Sequence, residues 1–178
     1  MEKDGQKPKD PSSMKTLLVL FSYHHKNTEK IANVIAEVFD AQIKTPKQIR
    51  PEELQEYTLI GFGSGIYGAK HHTDLLNLAD KLPHITNRKA FIFSTCGAPA
   101  FAIDGGHVKE YIIKFHSQLR EKLQCKGYMI VDEFNCAGWN TNSFLKLFGG
   151  INKGRPNAED LKHAEEFALN LRQNIRGS

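Results

Sequence analysis

The stretch that decides the fold runs from Thr16 to Phe39 and reads TLLVLFSYHHKNTEKIANVIAEVF. Its first seven residues form a nearly continuous apolar run, which is typical of a strand covered on both faces. After the polar letters SYHHKNT, apolar side chains recur at the spacing of an amphipathic helix, at Ile31, Val34, Ile35 and Val38. The stretch therefore predicts a buried strand, a donor-rich loop and a helix, although a purely structural connection would need only a turn.

The same alternation continues along the chain. Further apolar runs of strand length lie near residue 41 and at 58–65, 89–95 and 127–139. Helical patterns lie at 50–57, 71–83, 107–124 and 158–175. Strands that alternate with helices predict an α/β fold, in which helices cover both faces of a parallel sheet of five strands. No linker or internal repeat divides the chain, so residues 15–176 are predicted to form one domain.

The composition bounds the class of protein. The chain has 178 residues, of which 40% are hydrophobic and 25% charged, as in ordinary globular domains. No apolar run approaches the ~18–20 residues that span a bilayer, so we expect no membrane partner. Residues 1–14 are polar and lack the apolar core of a secretory signal, and they are predicted to be a flexible tail.

The cysteines and the charges exclude further classes. Cys96, Cys125 and Cys136 form no C-x-x-C pair, which disfavours a zinc ribbon, an iron–sulfur cluster or a disulfide framework and favours a cytoplasmic location. The net charge of +4 comes from scattered basic residues without a nucleic-acid-reading motif, so no nucleic acid partner is expected. The histidine pairs at 24–25 and 71–72 have no Asp or Cys cluster nearby, and no metal site is predicted.

Three unusual loops follow the first, third and fourth predicted strands. They read SYHHKNT (22–28), GSGIYGAKHH (63–72) and STCGAPAF (94–101). In an open parallel sheet, ligands bind beyond the carboxyl ends of the strands, where the strand order reverses. These donor-rich and glycine-rich loops therefore predict one ligand site at that edge of the sheet.

The first loop has the chemistry of a phosphate site. The N-terminus of a helix offers unpaired backbone N–H groups and a partial positive charge. Hydroxyl, amide, imidazole and ammonium groups add donors at Ser22, His24, His25, Lys26, Asn27 and Thr28. The alternative is ordinary N-capping by Asn27 or Thr28. The pattern matches neither the G-x-G-x-x-G fingerprint of dinucleotide sites nor the G-x-x-x-x-G-K-[ST] loop of nucleotide hydrolases.

The first loop and its flanking elements resemble the flavodoxin family. A strand, S-x-(polar)-N-T-E and an amphipathic helix are similar to the family's phosphate loop in its S-x-H-H-x-N-T form, with Lys26 where glycine is frequent. The resemblance extends from Lys15 to about Ile175. It implies a flavodoxin-like three-layer sandwich with parallel strands in the order 2-1-3-4-5, and FMN bound non-covalently at the rim.

The resemblance also implies which residues bind FMN. The first loop would hold the phosphate through Ser22, His24, His25, Lys26, Asn27 and Thr28. The ring would lie between Ser64, Gly65, Ile66, Tyr67 and Gly68 on one side and Thr95, Cys96, Gly97 and Ala98 on the other. Tyr67 is either a stacking partner of the ring or a surface aromatic. Cys96 has no evident base, so no catalytic residue is predicted.

The implied function is electron transfer through FMN to a redox partner protein or a small-molecule acceptor. Two alternatives stay open. One is an NAD(P)H-dependent FMN oxidoreductase of the quinone or nitro reductase type, and the other is a domain that has lost the cofactor and serves in binding. The net charge of +4 departs from the strongly acidic character of electron-carrier flavodoxins, which dock basic partners.

The segment 137–157 is longer than a typical connection between a strand and a helix. Long connections in compact domains often act as lids or interaction loops. Two roles remain open for this segment, a cover for the sheet edge or a flap that covers a substrate or docks a partner. Asn157, which precedes Ala-Glu-Asp, is predicted to cap the closing helix.

Overall fold

A computed structural model of the protein describes residues 14–103 and 108–177. The strands are β1 Thr16–Phe21, β2 Gln42–Lys44, β3 Leu59–Tyr67, β4 Lys70–His71, β5 Arg88–Cys96 and β6 Tyr128–Ala137. The helices are α1 Asn27–Phe39, α2 Thr73–Lys81, α3 Ala100–Ala102, α4 Val108–Cys125 and α5 Ala158–Arg176. Short 3-10 turns lie at His24–Lys26, Pro46–Gln48, Pro51–Glu56 and Ser143–Phe148.

Five of the strands pair in parallel, in the order β2-β1-β3-β5-β6. This order confirms the predicted 2-1-3-4-5 arrangement, because β4 is a two-residue strand that lies off the main path. The strand order reverses at β1, since β2 lies on one side of it and β3 on the other. The carboxyl ends of β1 and β3 therefore flank the crevice in which such folds bind ligands.

Strand β4 corrects one sequence expectation. The stretch 63–72 was predicted to be a loop, but β3 continues through Tyr67 and pairs antiparallel with β4. Gly68 and Ala69 have φ angles of 56° and 62°. Positive φ at both central residues is the mark of a type I′ hairpin turn, whose twist matches that of the two strands it joins.

Two apolar layers sandwich the sheet, which confirms the predicted three-layer architecture. Along β1, Leu17 and Val19 face a cluster that includes Leu75 of α2 and Leu119 of α4. Leu18 and Leu20 face the opposite cluster, whose other members come mainly from β5, β6, α1 and α5: Ile31, Ala32, Ile35, Phe39, Leu59, Phe91, Phe93, Phe134, Cys136, Ala164, Ala168 and Leu171. Alternation of period two along a strand places consecutive side chains in different layers.

Two glycines of β3 make room for aromatic rings on the neighbouring strand. A Cβ on Gly61 would lie 2.4 Å from the ring of Phe91, and a Cβ on Gly63 would lie 2.2 Å from the ring of Phe93. Both rings are completely buried. These glycines therefore serve the core, although Gly63 belongs to the stretch that the sequence assigned to a ligand loop.

The start of α5 confirms the predicted cap. The Asn157 side chain accepts a hydrogen bond from the Asp160 backbone N–H at 3.0 Å, and the Asp160 carboxylate accepts one from the Asn157 backbone N–H at 2.8 Å. This reciprocal arrangement is a capping box. Among the described residues, none of the helices is both long enough and apolar enough to cross a membrane.

Candidate functional site

A pocket lies beyond the carboxyl ends of β1, β3, β5 and β6. Its walls come from Ser22, His24, Asn27, Thr28, Gly65, Ile66, Tyr67, Thr95, Cys96, Gly97, Gly138, Trp139, Asn140 and Asn142. The three loops that the sequence singled out thus meet around one space. A fourth wall, which the sequence did not assign to the site, follows β6.

The first loop turns sharply before α1 begins. His25 and Lys26 have φ angles of 51° and 53°, in the left-handed region. Ser22 Oγ accepts a hydrogen bond from the Glu29 backbone N–H at 3.3 Å, so this hydroxyl lies over the first turn of α1. Residue 26 occupies the N-cap position and makes no side-chain cap bond, so the alternative of capping by Asn27 or Thr28 is not what the structure shows.

Asn27 and Thr28 are buried and point toward other walls of the pocket. The Asn27 amide donates to the Trp139 carbonyl at 2.9 Å, and its Oδ1 has no hydrogen-bond partner among the described residues. Thr28 Oγ1 lies 2.8 Å from Thr95 Oγ1. These two side chains therefore tie the first loop to the loops that follow β5 and β6.

His25 and Lys26 lie outside the pocket walls. The His25 ring stacks on the Trp139 indole at a centroid distance of 3.8 Å, and its Nε2 lies 2.8 Å from Thr141 Oγ1. Burial and the neighbouring His24 and Lys30 lower the pKa of His25. Lys26 is exposed and pairs with Glu29 at 3.2 Å. The charge of Lys26 thus faces solvent rather than the pocket.

Only part of the predicted second loop reaches the pocket. Gly65, Ile66 and Tyr67 line it, and burial raises the pKa of the Tyr67 hydroxyl. Ser64 is fully buried and faces away, with Oγ 2.9 Å from His71 Nδ1. Gly68 lies in the hairpin turn outside the walls.

The third loop contributes Thr95, Cys96 and Gly97 to the pocket. Ala98 lies outside the walls, and its carbonyl accepts a hydrogen bond from the Asn152 amide at 2.7 Å. Burial raises the pKa of the Cys96 thiol to about 11, although hydrogen bonds with the Ala98 backbone and with Asn135 act in the other direction. Because the thiolate is the nucleophilic form, Cys96 is a poor nucleophile at neutral pH.

The wall after β6 was missed by sequence reasoning. Trp139, the only tryptophan, stands two residues beyond the end of β6, and Asn140 donates to the Gly97 carbonyl at 3.3 Å. A signal was present, because the rule that ligand loops follow strand carboxyl ends applies to the last strand as well. Of the two roles left open for the segment 137–157, its first residues take that of a flap over the pocket.

A buried polar network lies behind the pocket, between the sheet and α4. His116 Nε2 lies 2.7 Å from Ser94 Oγ, and His116 Nδ1 lies 2.7 Å from Glu133, which also binds Arg120. Asn135 donates to Ser94 Oγ at 2.6 Å, and the Cys96 thiol donates to Asn135 at 3.5 Å. The network therefore reaches the pocket wall at Cys96.

His71 lies beside this network rather than at the exposed rim. Its ring centroid is 4.9 Å from that of His116, while His72 caps α2 by accepting a hydrogen bond from the Asp74 backbone N–H. Throughout residues 14–103 and 108–177, no group of three or more His, Cys, Asp or Glu side chains is placed to hold a metal ion.

Comparisons with known proteins agree with the fold and the site. A model of the flavodoxin domain matches residues 18–132. An uncharacterized protein of Methanocaldococcus jannaschii is 46% identical over 161 residues, which span 90% of this chain and all of that protein. The chain therefore belongs to the flavodoxin family, as the first loop indicated.

Solved structures show the same fold at low sequence identity. A flavodoxin from the domain Archaea superposes with a TM-score of 0.60 at 15% identity, over 92% of this chain and 99% of that one. Oxidised flavodoxin 2 of Bacillus cereus superposes with a TM-score of 0.63 at 18% identity, over 90% and 99% of the two chains. These two likenesses establish the fold alone.

Proposed function

We propose that the protein binds FMN in this pocket and carries electrons through the flavin to a redox partner, either a protein or a small-molecule acceptor. The observation that carries the proposal is the position of the pocket. It opens at the crevice between β1 and β3, where the strand order reverses and α1 begins. Membership of the flavodoxin family supports the same ligand.

The chemistry of the walls fits FMN. Hydroxyl groups of Ser22, Thr28 and Thr95 and the first turn of α1 offer donors to a phosphate. The unpartnered Oδ1 of Asn27 offers an acceptor to a ribityl hydroxyl. Gly65 and Gly97 carry no side chain, so a flat ring has close access to the backbone there.

The residues therefore divide into two groups in the proposal. Those at the pocket would contact FMN directly: Ser22, His24, Asn27, Thr28, Gly65, Ile66, Tyr67, Thr95, Cys96 and Gly97. Those outside the walls would support the loops: His25, Lys26, Ser64, Gly68 and Ala98. Bound FMN supplies the electron-accepting ring, while the chain binds it, orients it and excludes water.

The flap has to move before FMN enters. The cavity has a volume of about 50 Å³. Sites for ligands of drug or cofactor size measure ~300–1,000 Å³. Three contacts hold the flap down on the first loop, namely the Trp139 stack on His25, the Thr141–His25 hydrogen bond and the Asn27–Trp139 hydrogen bond. We infer that binding of FMN breaks at least one of these contacts.

The closed pocket favours a carrier over an NAD(P)H-dependent oxidoreductase. An enzyme of that kind needs space for a nicotinamide over the ring, and the flap occupies the mouth of the pocket. Steady-state oxidation of NADH and NADPH by the FMN-loaded protein, with a quinone or a nitroaromatic as acceptor, distinguishes the two. Multiple turnovers would replace the carrier by the enzyme.

We further propose that residues 15–176 form a single FMN-binding domain that works in the cytoplasm. Its apolar clusters share the same strands, and all three cysteines are thiols. The predicted flexible tail, residues 1–14, lies outside the described residues except for Met14.

The first experiment is a titration of the purified protein with FMN. We expect flavin bands near ~370 and ~450 nm that stay with the protein through desalting. The double variant Ser22→Ala/Thr28→Ala should weaken FMN binding at least about tenfold, because two charge-assisted hydrogen bonds are lost. The matched control, Ser117→Ala/Thr86→Ala, removes the same two hydroxyl types far from the pocket and should bind like the parent protein.

Riboflavin, which lacks the phosphate, is the second ligand of this titration. Its affinity should differ little between the parent protein and the Ser22→Ala/Thr28→Ala variant. A protein that ignores both FMN and riboflavin would exclude the carrier and the oxidoreductase together, and would leave a binding domain without cofactor.

A further inference from the structure

The four segments around the pocket carry no acidic residue. They are 22–28, 67–72, 97–103 and 138–157, and none contains any of the 20 Asp and Glu residues of the chain. The same segments contain five basic residues: Lys26, Lys70, Lys146, Lys153 and Arg155. The edge of the sheet that holds the pocket is therefore positive, whereas the chain as a whole is nearly balanced.

Three of these cations are directed at neither the pocket nor an acidic neighbour. Lys26 pairs with Glu29, and Arg155 pairs with Asp160. Lys70, Lys146 and Lys153 are exposed, and they form no ion pair with any residue in the described ranges 14–103 and 108–177. None of these three lines the pocket. A bound phosphate group therefore does not explain their charge.

Large apolar side chains stand exposed on the same segments. Tyr23, Phe101, Leu147 and Phe148 are 72%, 81%, 83% and 82% exposed. The other large exposed apolar side chains of the described residues, such as Met129 and Leu169, are 36–65% exposed and lie elsewhere. Exposed aromatic and aliphatic groups that cluster at a pocket mouth mark an interaction surface.

We propose that these groups dock an acidic redox protein, whose carboxylates surround an apolar patch above its own redox centre. The docking surface consists of Lys70, Lys146 and Lys153 together with Tyr23, Phe101, Leu147 and Phe148; we call it the basic rim. Charge complementarity selects the partner, because a positive surface attracts acidic proteins and repels basic ones. The inference rests on the proposed function, since the rim surrounds the pocket assigned to FMN.

The arrangement of the rim favours a protein over a lipid surface. A membrane-binding element usually presents its apolar and basic side chains along one amphipathic helix. Here these side chains come from four separate segments around a pocket mouth. Only a partner that covers the mouth contacts all of them, and it thereby approaches the pocket closely.

The test uses a tryptophan-free, acidic plant-type [2Fe–2S] ferredoxin as the probe. Association is followed in a stopped-flow instrument through quenching of Trp139, which lies in the pocket wall. We expect rapid association at low salt and a fall of at least about tenfold in the rate constant at 0.5 M salt, which is on the order expected when screening removes steering. A basic cytochrome c should associate more slowly at low salt than at high salt.

The decisive variant is Lys70→Gln/Lys146→Gln/Lys153→Gln. It should reduce the association rate constant at low salt about tenfold, because three charges of the rim are lost. The control, Lys81→Gln/Lys126→Gln/Arg176→Gln, removes three charges at or just beyond the C-terminal ends of α2, α4 and α5, at the opposite edge of the sheet. It should change the rate constant less than twofold. Equal effects of the two variants would overturn the proposal.

A second variant tests the apolar part of the rim. Leu147→Ser/Phe148→Ser alters two side chains that are more than 80% exposed, so the fold is not at stake. It should speed dissociation of the ferredoxin several-fold and leave association unchanged. Binding to anionic lipid vesicles that depends on these residues, without ferredoxin binding, would replace the proposal by a membrane site.

The outcome is separable from that of the proposed function. The binding assays are run with and without added FMN, and FMN titrations of both triple variants should match the parent protein. If FMN does not bind but the ferredoxin binds through the rim, the FMN proposal fails and the docking surface stands. If FMN binds but the ferredoxin does not bind at low salt, the docking proposal fails alone.

Discussion

The imidazole of His71 is held in an apolar interior with only one of its nitrogens paired. It is 1% exposed, its Nδ1 lies 2.9 Å from Ser64 Oγ, and its Nε2 has no hydrogen-bond partner in the described part of the chain. Burial, with a smaller contribution from His116, lowers its pKa well below the usual value. His71 is therefore neutral in the folded protein at neutral pH, and the unfolded chain binds a proton more readily there.

This difference makes the stability of the protein depend on pH. Below the unfolded histidine pKa of about 6.5, the unfolded state takes up a proton at His71 that the folded state refuses, so the free energy of unfolding falls as pH falls. One such group contributes a slope of at most about 1.4 kcal/mol per pH unit. We expect His71→Gln, which retains a polar group for Ser64, to make the fall between pH 6.5 and 5 shallower. Urea unfolding at several pH values measures it.

The control is His163→Gln, which alters an exposed histidine of α5. It should leave the pH dependence of the unfolding free energy as in the parent protein. The same slope in both variants would contradict the assignment of a buried neutral imidazole to His71.

The hairpin explains why sequence reasoning found Gly65 and Tyr67 at the pocket but misplaced Ser64 and His71. Strand alternation directs Ser64 to the side opposite its neighbours, and the turn at Gly68 folds His71 back against it. A stretch that contains GSG and YGA carries strong turn signals, which hid the continuing strand. The donors Ser22, Asn27 and Thr28 were found because they precede or begin a clearly periodic helix.

At the scale of elements, β3 depends on the absence of side chains at two positions. Gly63→Ala would place a methyl group 2.2 Å from the Phe93 ring on β5, and that ring is enclosed on all sides. We expect a loss of about 1–3 kcal/mol in unfolding free energy, which is typical of overpacking. Chemical denaturation measures it. Gly177→Ala is the control, because its Cβ would have no neighbour nearer than 3.6 Å; a loss for Gly63→Ala as small as for this control would contradict the packing argument.

The flap and the first loop are coupled through His25. His25→Ala removes both the stack with Trp139 and the hydrogen bond with Thr141. Together these contacts are worth about 1–2 kcal/mol, so the flap should open more often and FMN should associate several-fold faster. Stopped-flow quenching of flavin fluorescence measures the rate.

The neighbouring variant Lys26→Ala is the matched control for the flap. Lys26 contacts Glu29 and does not touch the flap, so its loss should leave the association rate of FMN near that of the parent protein. An association rate for His25→Ala equal to or below that of Lys26→Ala would mean that the flap does not limit entry.

Elements were predicted well where their periodicity is strong. The apolar run at Thr16 and the helical pattern after Thr28 each identified an element, and the capping sequence at Asn157 identified the start of α5. The flap escaped prediction because its position is set by contacts between segments distant in sequence, such as His25 with Thr141. Such contacts leave no local pattern in the sequence.

At the scale of the whole molecule, one sheet connects the two apolar layers. Strands β1, β3 and β5 contribute to both clusters, so neither layer can separate without exposing the other. We expect thermal unfolding in one transition, and FMN at 100 times its dissociation constant should raise the unfolding free energy by about 2.7 kcal/mol. Calorimetry with increasing FMN measures the shift. Riboflavin at the same concentration should give a smaller one, and two separate transitions would contradict a single domain.

The packing of α1 against α5 has a consequence during synthesis. Ala164, Ala168 and Leu171 of α5 complete the layer that Ile31 and Ile35 begin, although about 130 residues separate the two helices. Until α5 has left the ribosomal exit tunnel, one face of the sheet in the nascent chain remains uncovered. The growing chain therefore exposes a large apolar surface for most of its translation, and it needs a chaperone or rapid release from the ribosome to avoid association with other chains.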